Sequence, residues 1–176
     1  VKDKTLKGTF NSLVSARKPF GLDTTFRGIK DPYEGLVAMY YRGRKISYIP
    51  KSAIKVNANL LDKYKIFISN VYSIGKTAPF KVLNIPFIGN PNECCNETYL
   101  SIGPFDNEDT CHNVISYINT RFFRFMVYLK KTSPTGPRNV YSLVPLQDFS
   151  KSWTDEELYN MYNLTKNEID FIEASI

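Results

Sequence analysis

The sequence has little that would place it in a membrane, outside the cell or around a metal ion. No apolar run approaches the roughly 18 residues of a membrane-spanning helix, and no signal peptide is recognisable. The three cysteines form no disulfide framework, because Cys94 and Cys95 are adjacent and no CxxC spacing occurs. We therefore predict a cytoplasmic protein in a reducing compartment, with no membrane contact and no zinc site.

Motifs for catalysis are also scarce. The sequence has no GxGxxG and no P-loop to cradle a nucleotide phosphate, and its one histidine, His112, lacks the partner pattern of a nucleophilic site. None of the 17 acidic residues has a lysine two positions later, as the (D/E)-x-K arrangement of metal-dependent nucleases requires. The segment NPNE (90–93) lacks the second proline and the aromatic residue of the adenine-methyltransferase tetrapeptide Asn-Pro-Pro-aromatic. We predict that this chain alone catalyses no reaction and holds no cofactor or metal.

Positive charge, in contrast, is abundant and unevenly distributed. Residues 1–81 carry 16 lysines and arginines against 5 acidic residues, whereas residues 153–176 carry 1 against 6. Cationic surfaces concentrate polyanions such as DNA, RNA or anionic lipid. The alternative interpretation is a solvated, lysine-rich surface without a partner.

Hydrophobic periodicity predicts an α+β fold, with a mixed or antiparallel sheet packed on one long helix. Predicted strands lie in a hairpin over 35–50 and at 65–72, 81–89, 97–105 and 139–146. After Asp109 the period changes to about 3.6, and one helical face carries Val114, Ile118, Phe122, Phe125 and Leu129. Capping boxes at Thr154 and Thr165 predict two short helices. We expect a domain over 1–150 and a small C-terminal helical appendage over 151–176.

A second face of the long helix is predicted to stay accessible, with Tyr117, Arg121, Arg124 and Tyr128 at helical spacing. Arginine side chains on such a face commonly contact phosphates or guanine. Snorkelling arginines on an ordinary exposed face are the competing interpretation. Together with the hairpin tip, the loops and the corner before 139–146, this face gives the candidate DNA-binding residues, which are Arg17, Lys18, Arg27, Lys30, Arg42, Arg44, Lys45, Lys76, Lys81, Arg121, Arg124, Arg138 and Asn139.

Several long segments resemble one family. They are SLVSARKPFGLDTTFRG (12–28), ISYIPKS (46–52), NETYLSIGPFDNEDT (96–110) and YINTRFFRFMVYLKKTSPTGPRNVYSLVPLQDFSKSWTDEELYNMYNLTKNEIDFIEASI (117–176). The sequence resembles the C-terminal region of bacterial type II restriction-modification enzymes with adenine-specific DNA methyltransferase activity, and the segment Phe122–Trp153 is the most specific part. The chain begins at Val1 rather than at a methionine, so we expect it to be a piece of such a longer protein.

The resemblance implies that this piece is a target-recognition domain whose partner is double-stranded DNA. An N-terminal methylase domain of the same polypeptide would bind S-adenosylmethionine, flip the adenine out of the duplex and methylate it. The family's catalytic and cofactor motifs belong to that domain, so the resemblance assigns no catalytic residue here. The parent enzyme would be a site-specific adenine DNA methyltransferase, with or without a fused endonuclease.

Two other functions remain open at this stage. The aromatic residues and the acidic tail are compatible with a protein-interaction module that docks the methylase or a nuclease partner. A nuclease domain of unfamiliar geometry is disfavoured by the missing carboxylate–lysine pattern.

Overall fold

The computed structural model describes residues 8–176, which form an α+β fold with two three-stranded sheets and four helices. The strands are β1 (Leu36–Tyr41), β2 (Lys45–Pro50), β3 (Tyr64–Ser69), β4 (Phe87–Gly89), β5 (Glu93–Cys95) and β6 (Tyr99–Phe105). The helices are α1 (Glu108–Asn119), α2 (Arg121–Tyr128), α3 (Asp155–Met161) and α4 (Lys166–Ser175), and 3-10 turns occupy Phe10–Leu13, Lys51–Ala53, Ala58–Leu60 and Arg138–Tyr141. No helix among these residues is long and apolar enough to cross a membrane. The α+β class is confirmed, but the single long helix is not.

The first sheet is mixed and has the strand order β2-β1-β5. β1 and β2 form the predicted antiparallel hairpin, and Gly43 makes its turn at φ 79°, a conformation that glycine adopts without strain. β5 pairs with β1 in parallel, from Ala38 opposite Glu93 to Tyr40 opposite Cys95. The sequence analysis placed no strand between 89 and 97, because the asparagines and Pro91 there are typical of turns and β5 has only three residues.

The second sheet is antiparallel, with the order β4-β3-β6, and it forms the middle of three layers. Successive residues of a strand point to opposite faces. Phe67 therefore packs in one buried cluster with Met39 of the first sheet, while Ile66 and Ile68 pack in a second cluster with Val114 of α1. Both faces of β3 are buried, which explains its nearly continuous apolar sequence.

The predicted long helix is broken at Thr120, whose backbone is extended at ψ 149°. Its hydroxyl donates to the Tyr117 carbonyl (2.7 Å) and accepts from the Phe123 backbone N–H (3.1 Å), so it ends α1 and caps α2. Asp155 accepts hydrogen bonds from the backbone N–H groups of Arg121 (3.0 Å) and Phe122 (2.8 Å). The free amides created by the break are therefore satisfied by a residue of the C-terminal segment.

The C-terminal segment packs directly on α2. Both predicted capping boxes are present, at Thr154 with Glu157 and at Thr165 with Glu168. Tyr162 stacks on Phe122 with 5.0 Å between the ring centroids. Buried side chains of this segment belong to the same hydrophobic cluster as β3, β6 and α1, and they are Trp153, Leu158, Tyr159, Tyr162 and Ile172.

The segment between α2 and α3 contains no strand among its residues, so the strand predicted at 139–146 is wrong. Arg138–Tyr141 is a 3-10 turn that buries Val140 and Tyr141, and Pro145 forms only an isolated bridge with Thr9. Val140, Tyr141 and Val144 of this segment are buried because they fill the core beside Phe10, not because they extend a sheet.

A buried lysine, Lys131, fastens the loops beside this segment. Its ammonium donates to the carbonyls of Tyr72 (2.8 Å) and Val82 (2.7 Å), and burial lowers the pKa of Lys131 to about 8. Two carbonyls from opposite ends of the 72–82 loop are thus joined through one side chain. Lys65 acts similarly on the 60–63 turn, where it donates to the carbonyls of Leu60, Leu61 and Lys63.

Candidate nucleic-acid interface

The tip of the β1–β2 hairpin borders two neighbouring polar clefts. The first, of about 790 Å³, lies between the hairpin tip, the end of β3 and the segments before β4 and β6, and its polar lining residues include Arg17, Arg42, Arg44, Asn70, Asn84 and Glu97. The second, of about 850 Å³, lies on the other side of the tip, and its lining residues include Thr24, Arg27, Arg42, Lys45, Asn96 and Thr98. Thr24, Arg42, Gly43 and Thr98 line both clefts, so the two form one continuous surface around the turn.

Five of the predicted DNA-contacting cations lie on this surface, and they are Arg17, Arg27, Arg42, Arg44 and Lys45. We call them the cationic wall. They come from the 17–27 loop and from the hairpin turn, which meet only in the folded chain. Glu97 is the one acidic residue among the residues described as lining the two clefts. The surface is therefore strongly positive, as phosphate binding requires.

Glu97 organises one side of the wall. Its buried carboxylate accepts hydrogen bonds from Arg17 Nε (2.9 Å) and from the Thr24 backbone N–H (3.1 Å), and Lys18 Nζ lies 4.0 Å away. Burial acts to raise the pKa of Glu97, but the Thr24 hydrogen bond and the charges of Arg17 and Lys18 outweigh it, so this pKa lies below its ordinary value. The ionised carboxylate thus fixes the loop that carries Arg17.

Arg44 is held on the other side of the wall by several contacts. Its backbone N–H donates to the Tyr99 hydroxyl (2.8 Å), its Nη2 donates to the Ile85 carbonyl (2.9 Å), and its guanidinium lies 4.5 Å above the Phe87 ring centroid. Arg42 and Lys45 are exposed and make no salt bridge or side-chain hydrogen bond within residues 8–176. These two side chains are consequently the ones most available to an external phosphate.

Lys76 and Lys81 line a separate shallow cleft of about 430 Å³ in the loop that Lys131 fastens. This loop follows Val71, which lines the first cleft, so the two surfaces adjoin along the chain. Lys30 is exposed beside the bridge between Ile29 and Tyr48 of β2. The structure brings neither Lys30 nor the two loop lysines into the clefts at the hairpin tip.

The predicted residues of the long helix lie outside the clefts at the hairpin tip. They do not form the accessible face that the sequence predicted. Tyr117 is fully buried in α1, and its hydroxyl donates to the Pro145 carbonyl (2.8 Å). The break at Thr120 interrupts the helical spacing on which the predicted face depended. Arg121 pairs with Glu173, and Arg124 donates to the Leu83 carbonyl (2.8 Å). Tyr128 stacks on Phe80 at 4.8 Å between centroids. Both arginines of the face therefore bind other parts of the chain.

Arg138 and Asn139 are exposed in the 3-10 turn rather than at a strand corner. Arg138 Nε donates to the Asn11 carbonyl (2.8 Å), which ties this turn to the one at Phe10–Leu13. Neither residue lines the clefts at the hairpin tip.

The uncharged polar residues of the surface and Glu97 were not found from the sequence, and Asn70 and Glu97 are examples. Asn70 lies inside the strand predicted at 65–72 and belongs to no motif, whereas the observed strand ends at Ser69. Glu97 is 80 positions from the arginine it binds, and no local pattern indicates that pairing.

A second surface feature is an apolar groove of about 320 Å³ between α2 and the C-terminal helices. Its lining residues are Phe122, Phe125, Met126, Tyr162, Leu164, Asn167, Glu168, Phe171 and Ile172. Phe171 is 63 % exposed at its edge. The groove is lined by the segment of the chain with the highest density of acidic residues.

Residues 8–176 show no cluster of three or more metal-ligating side chains. Cys94, Cys95 and Cys111 are buried thiols, and burial raises the pKa of Cys94 and of Cys111 to about 12. Such thiols are poor nucleophiles at neutral pH because the thiolate is the reactive form.

Comparison of the sequence with protein-family models and with curated proteins found no match in either. The resemblance to adenine-specific restriction-modification enzymes therefore rests on the segments quoted above.

Proposed function

We propose that this chain is the duplex-DNA recognition module of a restriction-modification adenine-N6 methyltransferase. It positions DNA for a separate methylase domain, which uses S-adenosylmethionine. The observation that carries the proposal is the cationic wall, where five cations from two distant segments line one continuous surface. The resemblance supplies the class of enzyme, and the wall supplies the binding surface.

The placement of the acidic segment supports the proposal. Residues 153–176 pack against α1 and α2, whereas the residues that line the two clefts lie between 17 and 99. The negative charge of the C-terminus is thus kept away from the surface that would meet phosphates. A polyanion approaching the hairpin tip would meet clefts bordered by Arg17, Arg42 and Arg44.

A salt series tests DNA binding. The chain is titrated with a mixed-sequence 30-base-pair duplex, and the dissociation constant is measured between 50 and 300 mM KCl. With four or five phosphate contacts, the logarithm of the association constant should fall against the logarithm of salt concentration with a slope of about −4. A salt-independent constant, or no binding at 50 mM KCl, would overturn the proposal.

A second candidate function, protein docking, is favoured by the apolar groove. The occupant that fits is an amphipathic helix of a partner domain, with leucine-like side chains for the groove and flanking lysines or arginines. The argument for the basic flanks is charge complementarity, because residues 153–176 carry 6 acidic residues against 1 basic residue.

Docking is tested with a 20-residue model helix built from leucine and lysine, using NMR shifts of the groove side chains. Saturable binding that Phe171→Ser abolishes supports docking at this groove. Undisturbed groove resonances, or binding that Phe171→Ser leaves unchanged, overturns it. Exposed Phe171 can be replaced without opening the core, so folding is preserved.

A further inference from the structure

The first cleft is lined by an asparagine whose side chain has no hydrogen-bond partner among residues 8–176. Asn70 is only 9 % exposed, and it lines the cleft just after the last residue of β3. Its backbone N–H donates to the Thr98 carbonyl (2.9 Å), and its carbonyl accepts from the Gly136 N–H (2.7 Å). The carboxamide makes no hydrogen bond within residues 8–176.

This arrangement is unlike the other asparagine in the cleft. Asn84 donates to Ser69 Oγ (3.1 Å) and accepts from the Ile85 N–H (2.8 Å), so both ends of its carboxamide are used. Neither the oxygen nor the nitrogen of the Asn70 carboxamide is sealed from solvent, so both atoms are free to bind a group that enters the cleft. Asn70 is fixed by two backbone bonds and open to the cleft, as expected for a group that binds a ligand.

The surroundings of Asn70 indicate the class of ligand. Val71 is 58 % exposed and Ile85 is 66 % exposed, and both line the same cleft. They provide an apolar edge for the face of a base or the methyl group of thymine. Arg42, also on the cleft, provides a positive charge with no partner among the described residues. A free carboxamide, an apolar edge and a cation together suit one nucleotide of a DNA strand.

We propose that Asn70 is a base-reading residue for adenine, an inference that rests on the DNA-binding function proposed above. A carboxamide presents one donor and one acceptor side by side. The major-groove edge of adenine presents the matching N7 acceptor and N6 donor, whereas guanine presents two acceptors there and cytosine one donor. Arg42 binds the neighbouring phosphate and sets the register, and Val71 and Ile85 flank the base step.

The test is selection from a duplex library with ten randomised positions, using the whole chain and sequencing of the bound fraction. The wild-type protein should enrich adenine at one position by about tenfold over the other bases. Asn70→Ala should lose that enrichment while keeping the same salt slope on a mixed duplex. Asn70→Asp, which can only accept, should move the preference at that position toward cytosine. Asn160→Ala, an exposed asparagine on α3, is the matched control and should reproduce the wild-type pattern.

The possible failures are distinguishable. If the wild-type chain binds no duplex, the proposed function and this inference are both overturned. If it binds and enriches a sequence that Asn70→Ala and Asn70→Asp both leave unchanged, only the role of Asn70 is overturned. The bonds that hold Asn70 come from its backbone, so both variants retain them, and thermal unfolding of each variant checks the fold.

Discussion

The carboxylate of Asp155 binds the backbone N–H of Phe122 at 2.8 Å, across 33 positions of sequence. Together with the bond to Arg121, this contact joins the C-terminal segment to the exposed start of α2. A negative charge at a helix N-terminus is stabilised both by its hydrogen bonds and by the helix dipole. The acidic tail is therefore part of the structural framework of α2.

Removal of this contact should destabilise the protein. We expect Asp155→Ala to lower the free energy of unfolding by about 1–2 kcal/mol, because two helix amides lose their acceptor. The control is Asp170→Ala, which removes an exposed pair with Lys166 on the surface of α4 and should change stability by less than about 0.5 kcal/mol. Urea denaturation measures both variants, and equal losses would contradict the capping role.

Gly89 should tolerate no side chain. A Cβ built there would lie 2.3 Å from Cε2 of Phe67, a ring that is fully buried between the sheets. We expect Gly89→Ala to destabilise the protein by about 1–3 kcal/mol through overpacking. Gly136→Ala is the matched control, because the nearest atom to its Cβ would be 3.8 Å away. Thermal unfolding compares the two, and an unchanged midpoint for Gly89→Ala would show that Phe67 can move aside.

The lowered pKa of Lys131 predicts how the free energy of unfolding depends on pH. Its pKa in the folded chain is about 8, against an ordinary 10.5, because the ammonium is buried. Between these values the unfolded chain carries a proton at this lysine that the folded chain has released, so the free energy of unfolding rises with pH in that window. Below pH 8 both states are protonated, and this contribution is constant.

The comparison that isolates this effect is with Lys131→Met. The variant should be less stable at pH 7, by about 1–3 kcal/mol, because the carbonyls of Tyr72 and Val82 lose their donor. The difference between wild type and variant should then grow from pH 8 to pH 10.5, as measured by urea denaturation. Lys130→Met, on the exposed neighbour, controls for the loss of a surface lysine. A constant difference across this pH range would contradict the prediction.

Arg42 and Arg121 should differ in their effect on DNA affinity. Arg42 has no partner among the described residues, so Arg42→Ala should weaken binding uniformly across sequences and make the salt slope less negative by about 1. Arg121 pairs with Glu173, so Arg121→Ala should leave the slope unchanged. Fluorescence anisotropy at several KCl concentrations measures both slopes. An equal change for Arg121→Ala would extend the interface onto α2.

The elements with local signals were predictable from the sequence. The hairpin has alternating apolar residues around Gly43, and the two C-terminal helices have complete capping boxes, so each could be recognised without tertiary information. The break at Thr120 was not recognised, because the apolar spacing of α1 continues through it into α2. The Thr120 side chain makes the break, and Asp155, which is distant in sequence, accepts hydrogen bonds from the two backbone N–H groups that the break frees.

The candidate site, too, was predictable only where the signal is local in sequence. Its cations could be identified one by one from composition, but which of them share a surface depends on contacts such as that between Arg17 and Glu97. Arg121 and Arg124 looked equally suitable in the sequence, yet both lie on α2, outside the clefts at the hairpin tip. Asn70 could be identified only from the structure, because the sequence does not show whether a carboxamide has a hydrogen-bond partner.

The parallel pairing of β5 with β1 restricts the movement of the hairpin relative to the rest of the fold. β5 pairs with β1 in the first sheet, and the chain then enters the second sheet directly as β6. The short β5–β6 connection therefore joins the two sheets beside the hairpin. This pairing ties the backbone of the hairpin to the rest of the fold. Under the DNA-binding function proposed above, most of the deformation on binding would therefore fall on the double helix, and sequences that bend or widen easily would bind more tightly even where no side chain contacts their bases.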